Sequence, residues 1–178
     1  MVLKERLITY EDYIEGRLPE GLYEIVDGEV VEVAPAGGLH GYIEAKIAGF
    51  LMEKSRSKVW VLVGEVGIVL KKNPLTLRGL DIVYISKERL KELTGRALEV
   101  PPELVIEIAS PSNTSEELER KVWELLEAGT DRVLVVYPHL KKSYLYKKGS
   151  KVVEVYNFDE EFELLEGLKI KLSEVLEE

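Results

Sequence analysis

Three side chains in this sequence are placed for chemistry. Asp81 lies within Leu80-Asp81-Ile82-Val83-Tyr84-Ile85, Glu107 within Glu103-Leu104-Val105-Ile106-Glu107-Ile108-Ala109, and Lys121 in the segment that follows. An acid inside a run of aliphatic and β-branched residues is costly to desolvate. It needs a compensating metal ion, cation or hydrogen-bond donor. Two such acids and a lysine point to a metal site.

Strand alternation puts Glu103, Val105, Glu107 and Ala109 on one face of their strand and Leu104, Ile106 and Ile108 on the other. In a helix from Ser115, Leu118, Val122, Leu125 and Leu126 form an apolar stripe, and Lys121 flanks it. A helix from His40 to about Lys54 repeats the pattern: Glu44 falls inside the stripe of Ile43, Ile47 and Leu51, with His40 one turn earlier. Structural roles are open for each of these residues. Glu44 and Lys121 could pair with each other or sit at the edges of their stripes, Asp81 and Glu107 could staple adjacent strands, and His40 could be a satisfied boundary histidine. His139, in a turn after Pro138, has little claim to function.

The surrounding elements follow from local signals. Thr9-Tyr10-Glu11-Asp12 opens a short helix that Gly16 ends, and Asp27-Gly28 marks a tight hairpin between Tyr23–Val26 and Glu29–Val33. Val59 to Leu70 reads as a long strand bent or bulged at Gly64 and Gly67, closed by a turn at Asn73-Pro74. A buried strand at Asp81–Ile85 leads to a short capped helix from Ser86 to about Leu93, ended by Gly95. After the Glu103–Ala109 strand, Thr114-x-x-Glu117 is a capping box that opens a helix running to Gly129, followed by a buried strand at Val133–Tyr137. Ser143–Tyr146 and Val152–Tyr156 form a second hairpin around Lys148-Gly149-Ser150, and an amphipathic end carries Leu168, Ile170, Leu172 and Val175. The central order is helix, strand, strand, strand, helix, strand. This is a mixed α/β (α+β) fold, predicted as a single domain over residues 1–178 with hairpin additions at both ends.

Composition narrows the chemistry. With 46% apolar and 32% charged residues the chain is an ordinary globular protein. It has no cysteine and two histidines, which excludes thiolate chemistry and leaves any metal to lean on oxygen ligands. No apolar run approaches the length of a bilayer span, so a cytoplasmic location is predicted. A net charge of -9 argues against tight sequence-independent binding to nucleic acid, although basic clusters occur at Lys54/Arg56/Lys58, Lys71/Lys72/Arg78 and Lys141/Lys142/Lys147/Lys148/Lys151.

The order and spacing of these segments resemble the PD-(D/E)XK nuclease superfamily. In particular, Tyr23-Glu24-Ile25-Val26-Asp27-Gly28-Glu29, the His40 helix, Glu107-Ile108-Ala109-Ser110-Pro111-Ser112, Lys121 and Ala128-Gly129 before the Val133–Pro138 strand resemble the Uma-type putative restriction endonuclease family, over nearly the whole chain. The resemblance implies that Asp81 and Glu107, with the backbone carbonyl of Ile108, hold Mg²⁺ or Mn²⁺ for phosphodiester hydrolysis. Lys121 is then the lysine shifted from the strand onto the following helix, and Glu44, Glu24 and His40 are further candidates. The chain departs from the superfamily pattern at Leu80, where a proline precedes the first acid, and at Ala109, where the strand lysine is missing. Only Lys121 can fill that second gap.

The implied partner is nucleic acid, DNA in the first place, with a two-fold homodimer as the arrangement suited to cutting both strands. Two other classes compete. A non-catalytic nuclease-like binding or interaction module would have no reason to gather Asp81, Glu107 and Lys121 at one point. A glycoside hydrolase would want aromatic platforms, and Tyr84 is the one aromatic residue on the acidic strands.

Overall fold

The computed structural model describes residues 6–177. A five-residue helix, α1 (Tyr10–Ile14), is fixed at its start by a capping box between Thr9 and Asp12. The hairpin β1 (Tyr23–Val26) and β2 (Glu29–Glu32) turns at Asp27 and Gly28, both at positive φ, which is the conformation this dipeptide favours. Helix α2 (Gly38–Ser55) then buries Ile43, Ile47, Ala48 and Leu51.

The next two strands, β3 (Val59–Lys72) and β4 (Leu75–Ser86), form a long antiparallel hairpin. Strand β5 (Leu104–Ile108) pairs antiparallel with β4, and α3 (Ser115–Glu127) crosses over to β6 (Arg132–Tyr137), which lies parallel to β5. The sheet continues through β7 (Lys142–Lys147) and β8 (Glu154–Asn157), and a separate hairpin of β9 (Glu161–Leu165) and β10 (Leu168–Lys171) precedes the one-turn helix α4 (Leu172–Val175). The sheet order is β2-β1-β4-β5-β6-β7-β8, with β3 also on β4. This is the mixed α+β architecture the sequence predicts, with its central order of helix, three strands, helix and strand.

Alternation sorts the sheet's side chains into two cores. Ile82, Leu104, Ile106, Ile108, Leu134 and Val136 pack with α2 and with Phe162, Leu164 and Ile170 of the terminal hairpin. Val83, Ile85, Val105, Val133 and Val135 pack on the opposite face with Leu118, Val122, Leu125 and Leu126 of α3. Helix α3 closes with a Schellman arrangement: Gly129, at φ +112°, donates to Leu126, and Thr130 donates to Leu125.

One local reading is overturned by the structure. Ser86 ends β4, and residues 87–93 form one turn at 87–89 and a bend at 91–92 instead of a capped helix; Leu93 is exposed, and the Leu90 carbonyl accepts from Trp60 Nε1. The segment has no continuous apolar stripe with which to pay for helix formation. The amphipathic end that carries Leu168, Ile170, Leu172 and Val175 is β10 closing on β9 followed by the single turn of α4, and all four side chains join the core.

Two features of β4 position the candidate site. Leu77 pairs with Ile25 of β1, and Ile82 pairs with Ile106 of β5. Between them, Arg78 to Asp81 have no strand on that edge among the described residues. On the other edge, Val63 pairs with Ile82 and Val66 with Leu80, so Gly64 and Glu65 form a bulge against Asp81, both at positive φ.

Candidate metal centre

The open edge of β4 leaves the Gly79 backbone without ladder partners, and side chains take their place. Glu24 of β1 accepts from the Gly79 amide at 3.0 Å, and Lys121 of α3 donates to the Gly79 carbonyl at 2.5 Å. Lys121 Nζ also lies 3.1 Å from Glu107 Oε2 and 3.1 Å from Glu24 Oε1. The lysine at the edge of the α3 stripe is therefore held by three oxygens from three strands.

Asp81 and Glu107 stand at the next register positions beyond the last β4–β5 pair, where the two strands part. Both are buried, with about 4% and 5% of their surface exposed. Asp81 Oδ2 accepts from the Ile108 amide at 2.7 Å, so one of its oxygens does staple the strands. Ile108 meets Asp81 through its amide, while its side chain is buried in the core.

The other Asp81 oxygen, Oδ1, faces α2. His40 Nε2 lies 3.1 Å from it and 3.7 Å from Glu44 Oε2. Donor atoms of His40, Glu44 and Asp81 all fall within 4.8 Å of one another. Glu44 uses its other oxygen, Oε1, to accept from the Gly64 amide in the β3 bulge at 2.7 Å. The alternative in which Glu44 pairs with Lys121 is thereby replaced: Glu44 belongs with His40 and Asp81, and Lys121 with Glu107 and Glu24. His139 is exposed on the turn after β6 and, among the described residues, makes no side-chain hydrogen bond or ion pair with the acids or Lys121.

The arrangement fits a divalent cation on three observations. Among the described residues Glu107 Oε1 is buried without a hydrogen-bond partner, and both ring nitrogens of His40 are buried with only the charge contact of Nε2 to Asp81 at 3.1 Å. Orphaned buried donors and acceptors are rare and call for an explanation. The site is also rich in negative charge: Glu24, Asp81 and Glu107 are buried together against two cations, Lys121 and Arg78. The donor set of carboxylates and one imidazole suits Mn²⁺ and accepts Mg²⁺.

Protonation follows from the same surplus. Burial pushes the Glu107 carboxyl up to about 8, opposed by Lys121 and reinforced by the negative charge of Asp81. Burial disfavours charge on Lys121, but Glu107 and Glu24 outweigh it and raise the ammonium above its ordinary range. Burial also works against the Glu24 carboxylate, yet Lys121 and Arg78 hold it below the usual range. Asp81 raises His40 against the effect of burial.

Two further residues reach this site, neither of them marked as a functional group by its sequence context. Glu65, on the bulge opposite Asp81, places Oε2 about 2.5 Å from where a Cβ on Gly79 would stand, so a side chain at 79 would displace this carboxylate. Burial and then Asp81 raise its carboxyl. The interruption at Gly64 was the available signal, since a bulge re-aims the residue beside it. Arg78, read from sequence as part of a basic cluster, is buried and forks between Glu24 Oε2 at 2.8 Å and Glu124 Oε2 at 2.8 Å.

The family model described as Uma2, putative restriction endonuclease, matches residues 9–176. A crystal structure from Anabaena variabilis ATCC 29413, titled a putative nuclease belonging to DUF820, is similar with a TM-score of 0.79 at 16% identity, over 95% of this chain and 97% of that one. Likeness at that identity shows the fold. No functionally curated protein matches the chain.

Proposed function

The chain belongs to the Uma2 family of putative restriction endonucleases, and from that premise we propose that it is a metal-dependent endonuclease hydrolysing phosphodiester bonds of nucleic acid, DNA in the first place. The observation that carries this reading is the parting of β4 and β5 at Asp81 and Glu107 beside a buried lysine, with Glu107 Oε1 and, facing Asp81 from α2, the His40 nitrogens buried without hydrogen-bond partners among the described residues.

In this reading Asp81 Oδ1, His40 Nε2 and Glu44, whose donor atoms lie within 4.8 Å of one another, would hold Mg²⁺ or Mn²⁺ together with Glu107 Oε1. When bound, the ion would act as a Lewis acid toward the phosphate and make water a better nucleophile. Asp81 keeps its second oxygen on the Ile108 amide, so its carboxylate is oriented by β5 before any ligand arrives. Lys121 supplies a fixed positive charge 3.1 Å from Glu107, placed to orient a water and to offset charge growing on phosphate oxygens. Glu24 holds Lys121 instead of serving as a ligand.

With a net charge of -9 the chain lacks the general basic excess that would bind nucleic acid alone, so a bound cation would also supply attraction for phosphate at this site, beside Lys121. A two-fold pair of chains would supply two such sites for duplex scission. The test is incubation of circular duplex DNA, circular single-stranded DNA and RNA with the protein in Mg²⁺, Mn²⁺ or EDTA. Nicking or linearisation that needs the ion and disappears in Lys121→Met supports the reading. Intact substrates under every condition, with a folded protein, would overturn it.

A further inference from the structure

Arg78 is a guanidinium buried to all but about 7% of its surface, which is costly unless the charge is doing something specific. Its fork has two arms. Nη1 donates to Glu24 Oε2 at 2.8 Å, and Nε and Nη2 both lie 2.8 Å from Glu124 Oε2 on α3. Glu124 is braced in turn by Arg120 at 2.9 Å through its other oxygen, and Arg120 reaches Asp27 at the β1 turn at 2.8 Å. Arg78 therefore ties β1 to α3 across the open edge of β4.

The two elements it joins are those that set the position of Lys121. The lysine rises from α3, one helical turn before Glu124, and its ammonium rests on Glu24 of β1 as well as on Glu107. Glu24 is thus shared: Oε2 belongs to Arg78, while Oε1 takes Lys121 and the Gly79 amide. Without the guanidinium, Glu24 would be a buried carboxylate with one oxygen orphaned, free to rotate toward the lysine and draw it off Glu107.

We propose that Arg78 is a positioning residue for the site: by clamping Glu24 against Glu124 it holds the Lys121 ammonium over Glu107. This rests on the hydrolytic reading above for its effect on rate, but the clamp itself concerns the protein alone. Arg78 touches neither Glu107 nor Asp81 in the hydrogen bonds of the structure, so it acts through Glu24.

The test follows two signals in wild type, Arg78→Met and Glu124→Gln. The first is the ¹H–¹⁵N resonance of the Lys121 ammonium, visible when its protons are shielded and hydrogen-bonded; the second is cleavage of circular DNA with Mn²⁺, alongside the Mn²⁺ dissociation constant. Arg78→Met should broaden or abolish the Lys121 signal and lower kcat about 100-fold, with the Mn²⁺ dissociation constant changed less than about threefold. Glu124→Gln, a milder change at the helix surface, should weaken the Lys121 signal and lower kcat severalfold while leaving the fold intact. In a Glu24→Gln background, Arg78→Met should cost less than about threefold further, because the two residues act in series. A Lys121 resonance unchanged in both Arg78→Met and Glu124→Gln would overturn the clamp whatever the cleavage result, as would additive losses in the Glu24→Gln background. A Lys121 signal that responds while wild type cuts nothing would support the clamp and overturn the hydrolytic reading instead.

Discussion

Asp81 and Glu107 face one another across the point where β4 and β5 stop pairing, and Asp81 alone reaches over to take the Ile108 amide at 2.7 Å. The asymmetry gives the two acids different states. Asp81 has a hydrogen-bond donor on one oxygen and His40 beside the other, whereas Glu107 has Lys121 on one oxygen and nothing on the other.

Glu107 should couple stability and metal binding to pH. A carboxyl raised in the folded protein stabilises it while protonated, so the contribution is complete below the unfolded value near 4.5 and is lost as pH rises through about 8. The metal-free protein should melt lower at pH 9 than at pH 6, and Glu107→Gln should flatten that slope. Mn²⁺ must displace the Glu107 proton, so its affinity should rise with pH and level off above about 8. Melting curves and calorimetry across this range check both slopes.

Lys121 cannot be replaced by another cation of different shape. Its Nζ is enclosed by Gly79 O, Glu107 and Glu24 within 2.5 to 3.1 Å, a pocket with no room for a planar guanidinium. Lys121→Met and Lys121→Arg should each lower kcat about 100-fold or more, and Lys121→Met should leave Mn²⁺ binding equal or tighter, since a positive charge has gone. Calorimetry with a cleavage time course separates the two effects.

His40 should act on metal choice. An imidazole ligand favours Mn²⁺ over Mg²⁺, whose chemistry prefers oxygen. His40→Ala should weaken Mn²⁺ binding about tenfold or more and Mg²⁺ binding less, as measured by competition at constant pH.

The fold has a separable weak point at Gly129. A side chain there would have to adopt φ +112° and meet Pro101 Cγ at 3.1 Å. Gly129→Ala should cost about 1 to 2 kcal/mol by thermal or urea unfolding. Metal affinity should stay unchanged, because the loss falls on the α3 end away from Lys121.

What could be read from sequence divides along physical lines. The α3 stripe, its capping box and the Asp27-Gly28 turn are local patterns, and the structure keeps them in place. Placing the acids and Lys121 on neighbouring elements was likewise accessible, because alternation and helical spacing fix which face a side chain takes. Arg78 and Glu65 were not, since each depends on a strand pairing far away in sequence: Arg78 is buried where β1 and β5 leave a gap along β4, and Glu65 reaches over Gly79 because the bulge falls opposite Asp81. The Ser86 segment failed for the opposite reason, as helix-start chemistry is weak without an apolar face to bury.

The central claim, that Asp81 and Glu107 hold a divalent cation for cleavage, is tested most directly by titrating Mn²⁺ into wild type and into Asp81→Ala/Glu107→Ala by calorimetry, with DNA cleavage followed in the same samples. The account predicts a binding isotherm and ion-dependent cleavage in wild type, both lost in the double variant while its fold persists. Wild type that takes up no Mn²⁺ even with DNA present, or a double variant that binds it equally well, would contradict the claim and leave the two acids as structural groups.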